Sequence, residues 1–221
     1  MPLLTDFRSQ PRSERGVFLL LGASGSGKGS VGEALLTRGT ITAHASMGAW
    51  LREALHDPAT LAPHLEPLQP AGFSSALEYL NHCVRRGLLI PDIWTQTVIE
   101  QRLADAPSGQ WALDGYPRTI GAAQHLVKAL EQAQITLHGA VHLRVSNNVA
   151  TQRLLIRGRT DDSKNAILER LEFYVSSVLP TLGWLAAHGV AVVDIAAEAH
   201  LESVVRAVEQ TVNYWHEKSR T

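Results

Sequence analysis

Gly22-Ala-Ser-Gly-Ser-Gly-Lys-Gly-Ser30, GASGSGKGS, follows the apolar run 17–21, VFLLL. Three further glycines and a lysine directly after a buried strand are the composition of a phosphate cradle. Glycine lets the backbone curl so that successive N–H groups point inward, and it leaves room for a bulky anion. The helix expected to begin near Lys28 adds its positive N-terminal end, and Lys28 adds a full charge. Gly22 to Lys28 satisfies G-x-x-x-x-G-K, in the strand–loop–helix setting that the motif requires. The bland alternative, a flexible Gly/Ser turn, does not account for the strand before and the helix after. Gly29 stands where a Ser or Thr usually ligates Mg²⁺, which moves the hydroxyl to Ser30. A metal here is expected on nucleotide phosphates and water, with Asp114 as a partner through water, since Mg²⁺ keeps several waters.

Composition narrows the classes. The chain has 221 residues, 45% hydrophobic and 19% charged, with a formal net charge of −1. That size suits one α/β domain with a small insert. The charge does not favour a broad nucleic-acid or membrane surface, so any positive field must be local. Cys83 is the single cysteine, which excludes an intrachain disulfide and a cysteine zinc cluster. The ten histidines show no metal-binding spacing and read as surface or lightly buried. No apolar run approaches a membrane span. Residues 1–16 read as a frayed tail and not a signal peptide, and the expected compartment is the cytoplasm.

Five short apolar runs read as strands: 17–21, 42–46 (the weakest), 111–113, 140–145 and 190–195. Several are continuous instead of alternating, as in a parallel sheet covered on both faces. Helical patterns separate them, which predicts a doubly wound α/β fold. The clearest helix runs from Asp162 to His188. Ile167, Leu171, Val175 and Val178 form its apolar stripe, Asp161, Asp162 and Ser163 supply its N-terminal charge and caps, and Pro180 should kink or break it. Residues 57–73 hold four prolines and read as an irregular excursion within a helical insert over 46–90.

Two more constellations carry chemistry. Ala112–Thr119, ALDGYPRT, ends a predicted central strand, where open α/β sheets bind ligands. There Asp114 faces the phosphate loop, Pro117 stiffens the turn and Arg118 projects from it. Arg153 and Arg157 are four apart on one predicted helix, where like charges repel by a few tenths of a kcal/mol unless an anion is shared. Arg159 follows at once, and Arg170 lies beside the next helix's apolar stripe. The competing reading is a solvated face in which these arginines pair with Asp161, Asp162, Glu169 and Glu172. In 45–55, ASMGAWLREAL, the residues Trp50, Leu51, Ala54 and Leu55 form a buried face, with Arg52 off it.

Together these segments resemble the adenylate kinase family of nucleoside monophosphate kinases, in its short-lid form. GASGSGKGS is similar to its phosphate loop, SMGAWLR to the helix that opens its monophosphate-binding insert, and GLLIPD (87–92) to the return from that insert. LDGYPRT and RLLIRGRTDDSKNAILERLEFY are similar to its Asp-Gly-aromatic-Pro-Arg segment and to its lid with the following helix. The resemblance runs in order over about 17–210. It implies a P-loop NTPase-type, doubly wound, parallel five-stranded sheet flanked by helices. The core would be 17–45 and 91–221, the insert 46–90 and a minimal lid 157–162.

By the resemblance, ATP would be held by Gly22, Ser24, Gly25, Ser26, Gly27, Lys28, Gly29, Ser30, Arg153 and Arg157. The monophosphate would be held by Met47, Arg52, Leu89, Ile90, Gly115, Arg118 and Gln124. Lys28, Arg118, Arg153, Arg159 and Arg170 would carry the transfer, with Mg²⁺ accompanying ATP and a monomer expected. AMP is the favoured acceptor, with CMP, UMP or another monophosphate as the alternative. A non-catalytic nucleotide binder and a kinase of a small non-nucleotide metabolite are the rival classes. The arginine set argues against the first, and the insert bearing Arg52 against the second.

This chain departs from the family pattern in its lid, where only Gly158, Arg159 and Thr160 separate Arg157 from Asp161. Met47 replaces a threonine, Ala49 an acidic residue and Ala122 a glutamine, with Gln124 two positions on. The last three leave the acceptor base open. The insert is also longer, by the proline-rich excursion.

Overall fold

A computed structural model describes residues 15–56, 72–86, 88–158 and 163–218. The N-terminal segment 1–14, the excursion over 57–71 and the lid residues 159–162 lie outside the described residues. The expectations for a tail, for the prolines, and for Arg159, Asp161 and Asp162 therefore fall there.

Five parallel strands form one sheet in the order β2-β3-β1-β4-β5. They are β1 (Arg15–Gly22), β2 (Ala43–Ser46), β3 (Gly109–Asp114), β4 (Thr136–Arg144) and β5 (Val192–Ala196). This is the doubly wound P-loop fold expected from the sequence. The strands overlap the predicted runs, but β1 and β3 each begin two residues earlier, β4 begins four earlier, and β5 begins two later. The early part of β4, Thr136 to Gly139, is at an exposed end and has no apolar run to mark it.

The central strand sets the two cores. Side chains alternate across a strand, so Val17, Leu19 and Leu21 enter one face while Phe18 and Leu20 enter the other. All five are at most 1% exposed. On the first face they meet α2 (Met47–His56), α3 (Ala76–Arg86), α4 (Asp92–Ala104) and α5 (Ile120–Gln132), through Leu51, Leu80, Trp94 and Leu126. On the second they meet α1 (Lys28–Thr37) and α9 (Leu201–Lys218), through Val31, Leu35, Val204 and Val208. A third, smaller cluster of Ala23, Ala150, Leu154, Ile167 and Leu171 ties α6 (Asn147–Arg157) and α7 (Lys164–Phe173) to the phosphate loop.

The helix expected over 162–188 is interrupted. Ser163 caps α7, its hydroxyl accepting from the Ala166 N–H. A π-helical turn, Tyr174–Val178, then leads into α8 (Leu179–Ala187), with Pro180 in its first turn. Proline has no N–H to donate and fits best at a helix start, so the wider turn ends one helix and lets the next begin. The extra residue rotates the stripe. Ile167, Leu171 and Val178 are buried as expected, but Val175 is turned out to solvent, 53% exposed.

That register has a direct test. We expect Val178→Ala to destabilise the protein by about 1–2 kcal/mol, the loss of two buried methyl groups. Val175→Ala should stay within about 0.5 kcal/mol of the parent, as an exposed site does. Urea denaturation of the two variants measures both values. Equal losses would show an unbroken α-helical stripe.

Candidate active site

The chain leaves β1 to one side and returns on the other through β4. In such sheets the crevice opens at the strands' C-terminal ends. A cleft of about 1020 Å³ lies there, large against the 300–1,000 Å³ usual for a single ligand.

The phosphate loop forms its floor. Gly25 has φ +83°, and a Cβ there would sit 2.6 Å from the Ala150 carbonyl oxygen. Gly22 has φ +147°, and its Cβ would meet the Leu143 carbonyl oxygen at 2.5 Å. Both close approaches and both backbone conformations require glycine. Gly27, at φ +93°, is the N-cap from which α1 starts at Lys28. The Lys28 ammonium donates to the Gly22 and Ala23 carbonyls, each at 2.9 Å, and reaches Ser26 Oγ at 3.4 Å. Removal from water pulls its pKa down to about 8; Asp114 opposes this, while Arg118 and Arg157 add to it.

Five arginines join Lys28 along the walls: Arg52, Arg118, Arg153, Arg157 and Arg170. Arg153 and Arg157 come from α6 and share the face turned to the cleft. Arg170 is 5% exposed, and its Nε donates to the Arg86 carbonyl at 2.9 Å. Arg118 Nε donates to the Gly115 carbonyl at 2.9 Å; burial lowers its pKa, Asp114 opposing and Arg170 adding. Gly115 and Gly48 make space beside two of these cations, since a Cβ on either would lie 3.4 Å from the guanidinium of Arg118 or Arg52. Glu169, one candidate partner in the solvated-face reading, pairs with Arg86 at 2.9 Å.

Ser24, Ser26, Gly29, Ser30, Met47, Leu89, Ile90 and Asp114 also line the cleft. Gly22 sits beneath the floor, its carbonyl facing Lys28. Gln124 does not reach the cleft. It lies two residues, roughly 200°, around α5 from Ala122, and it is exposed while Ala122 lines the wall.

Asp114 ends β3 and is 9% exposed. Among the described residues no group of three or more His, Cys, Asp or Glu side chains could hold a metal. One buried carboxylate beside a phosphate cradle suits a hydrated Mg²⁺ held largely by phosphate oxygens, and not a metal in a protein cage.

The sequence reading missed several cleft residues. His44, on β2, is buried over Gly32, where a Cβ would come within 2.4 Å of its ring. Its Nδ1 contacts Glu33 at 3.0 Å, and its Nε2 lies 3.6 Å from Asp114. At 3.6 Å the Asp114 contact is electrostatic, and Nε2 has no hydrogen-bond partner. Asp114 and then Glu33 hold the imidazole above its ordinary pKa, against burial. Outside the cleft lining, His142 is also buried, its Nδ1 paired with Asp194 at 2.8 Å and its Nε2 with the Tyr174 hydroxyl at 2.6 Å. Neither histidine had a spacing signal, because the partners come from distant elements. Ala197 and Ala199, after β5, add a small-residue rim that only the short run of alanines could have suggested.

Comparison with known proteins bears on this geometry directly. A sequence model of the adenylate kinase family matches residues 20–190. The adenylate kinase of Parasynechococcus marenigrum is 28% identical over 195 residues, 88% of this chain and 97% of that protein. Adenylate kinase 1 of Synechocystis is 34% identical over 173 residues, 77% of this chain and 83% of that protein. The adenylate kinase of Corynebacterium glutamicum is 31% identical over 187 residues, 84% and 93% of the two chains. A phosphate loop, a cation-lined cleft at the sheet's switch point and this extent of similarity agree: the chain belongs to the adenylate kinase family, whose members are phosphotransferases.

Proposed function

We propose that the cleft transfers the γ-phosphoryl group of ATP to AMP, ATP + AMP ⇌ 2 ADP, the activity for which the relatives are named. The observation that carries the reading is the convergence of Lys28 and five arginines on one cleft of a chain whose net charge is −1. Binding one nucleotide does not require that many cations. Phosphoryl transfer does, because charge spreads over the equatorial oxygens of the group in flight and catalysis is mainly positioning and electrostatic stabilisation.

In this reading the phosphate loop and Lys28 hold the β- and γ-phosphates, while Arg52 and Arg118 hold the AMP phosphate. A phosphate oxygen of AMP attacks the γ-phosphorus in line. The bond from that phosphorus to the bridging oxygen breaks, and both products are ADP. Arg153, Arg157 and Arg170 surround the group in transit, and Arg159 joins them from the lid. No side chain need act as a covalent nucleophile. Mg²⁺, when bound, neutralises charge on the β- and γ-phosphates; Asp114 would hold it through water.

The chain divides accordingly into a core (17–45 and 91–221), a monophosphate-binding insert (46–90) and a minimal lid (157–162). Closure of insert and lid would exclude water, which otherwise accepts the phosphoryl group. Among the described residues no helix is long and apolar enough to cross a membrane. A cytoplasmic monomer is the reading that the family resemblance suggests; the single cysteine, Cys83, is buried and leaves no disulfide to form within the chain.

Two measurements test the assignment. Lys28→Met should lower kcat by about 10³-fold, the scale for a group that stabilises transition-state charge. Its circular dichroism spectrum should match the parent. Near-normal turnover would remove Lys28 from the transfer step. The second is pH dependence. Lys28 is charged below its pKa of about 8, so kcat/KM for ATP should fall as pH rises through that value. ATP binding near pH 8–9 should take up a proton, because the phosphates favour the charged ammonium. Calorimetry in buffers of different ionisation enthalpy reads that uptake, and Lys28→Met should abolish it. A flat profile from pH 7 to 9.5 would show that burial does not lower the Lys28 pKa, leaving the role itself to the Lys28→Met variant.

A further inference from the structure

The half of the cleft beyond Arg52 and Arg118 differs in chemistry from the half over the phosphate loop. Its walls are Met47 and Leu51 from α2, Cys83 and Val84 from α3, Ile90 from the following segment, and Ala122 from the start of α5. Five of the six are at most 7% exposed, and all belong to one continuous apolar cluster. Among the described residues, two hydroxyls on this part of the lining already donate within the protein, and Ser46, at the end of β2 beside Met47, is a further one on the cleft wall. Tyr116 Oη donates to the Ala122 carbonyl at 3.3 Å, and Thr95 Oγ1 donates to the Asp92 carbonyl at 2.9 Å. Asp92 Oδ2 accepts from Thr119 Oγ1 at 2.7 Å and is drawn under the N-terminus of α5, 3.0 Å from where a Gly121 Cβ would stand. That position suits a carboxylate, which the helix dipole stabilises.

We infer that this pocket holds the acceptor's base by packing, without a hydrogen-bonded match to its edge, so that the enzyme phosphorylates nucleoside monophosphates of several bases. The inference rests on the reading of the cleft as a phosphoryl-transfer site, and it names the acceptor class of that site. The chemical reason is an asymmetry. A pocket built to hydrogen-bond a particular group rejects analogues lacking it by about 10⁴–10⁵-fold, because its own buried polar atoms would be left unpaired. Aliphatic walls carry no such penalty, and discriminate by only about 10–10²-fold. Aliphatic and thioether side chains contact every base face alike. The phosphate, common to all the acceptors, is gripped by Arg52 and Arg118, which fixes the reacting oxygen whatever base follows.

The test measures kcat/KM for AMP, CMP, UMP and GMP with saturating ATP, and the affinity of each monophosphate by calorimetry. All four should be phosphorylated, with kcat/KM and affinities within about 10²-fold of each other. Ala122→Gln should then raise the preference for AMP over UMP by tenfold or more. A side-chain amide pairs with adenine's N6 amino group and adjacent ring nitrogen, whereas uracil presents the two positions in reverse, an acceptor and then a donor. Should glutamine disrupt the start of α5, Met47→Thr supplies a hydroxyl from α2 instead and should widen the spread of kcat/KM among the four acceptors by a comparable factor.

A preference for AMP of about 10⁴-fold or more in both measurements would overturn the inference while leaving the transfer assignment intact. The same holds for a 10⁴-fold preference for AMP, CMP and GMP over UMP, which would show Asp92 reading an exocyclic amino group. Equal binding of all four with transfer to none would uphold the packing argument and overturn the assignment of transfer. Binding of none would overturn both.

Discussion

The approach of the phosphate loop to two carbonyl oxygens is the constraint on which the remainder of the site depends. Leu143 is the last residue but one of β4 and Ala150 lies in α6, and both press against loop positions with no room for a side chain. Because Gly22 and Gly25 carry none, the loop nests between the central strand and the arginine-bearing helix. Lys28 is thereby set at the start of α1, against its own loop's carbonyls. Arg153 and Arg157 are set on the opposite wall. A loop lifted by the width of one methyl group would separate the two sets of cations.

The concentration of positive charge has a cost, and the structure shows where it is met. Lys28 and Arg118 both have pKa values lowered by burial, so their charged forms are disfavoured by desolvation as well as by neighbouring cations. Asp114 is the acidic group that opposes the shift at both. It also faces His44, so one buried carboxylate touches the field of three basic groups. Away from the cleft, charge is neutralised in ordinary exposed pairs such as Arg38 with Glu202 and Arg206 with Glu202. The near-zero net charge hides a strongly polarised molecule, which is why bulk composition could not locate the site.

Much of the fold was legible because its signals are local. The run VFLLL followed by glycines places the central strand and the loop, and continuous apolar runs identify a covered parallel sheet. Arg118 and Asp114 could be placed because they follow directly from a strand end. The rest depends on distant partners or on exact helical phase. Val175 was misplaced because a π turn adds a residue that no hydrophobic period announces. Gln124 was offered as a cleft residue on nearness in sequence, whereas two steps along a helix turn a side chain to the other side. His44 and His142 are buried because Gly32, Asp194 and Tyr174 make places for them, and none of these is adjacent in the chain.

The π turn between α7 and α8 divides one long rod into two segments of independent phase. The upstream segment is indexed to the cleft: it must aim Arg170 inward and seat Ile167 and Leu171 against α6. The downstream segment is indexed to the main core, where Leu182 and Leu185 join the cluster on the first face of the sheet. A single uninterrupted α-helix would force one compromise on both demands. The turn works as a universal joint, held at its first residue by the Tyr174–His142–Asp194 chain. It allows the cleft-facing and the sheet-facing halves of the rod to be adjusted separately, so a residue gained or lost on one side need not disturb the alignment of the other.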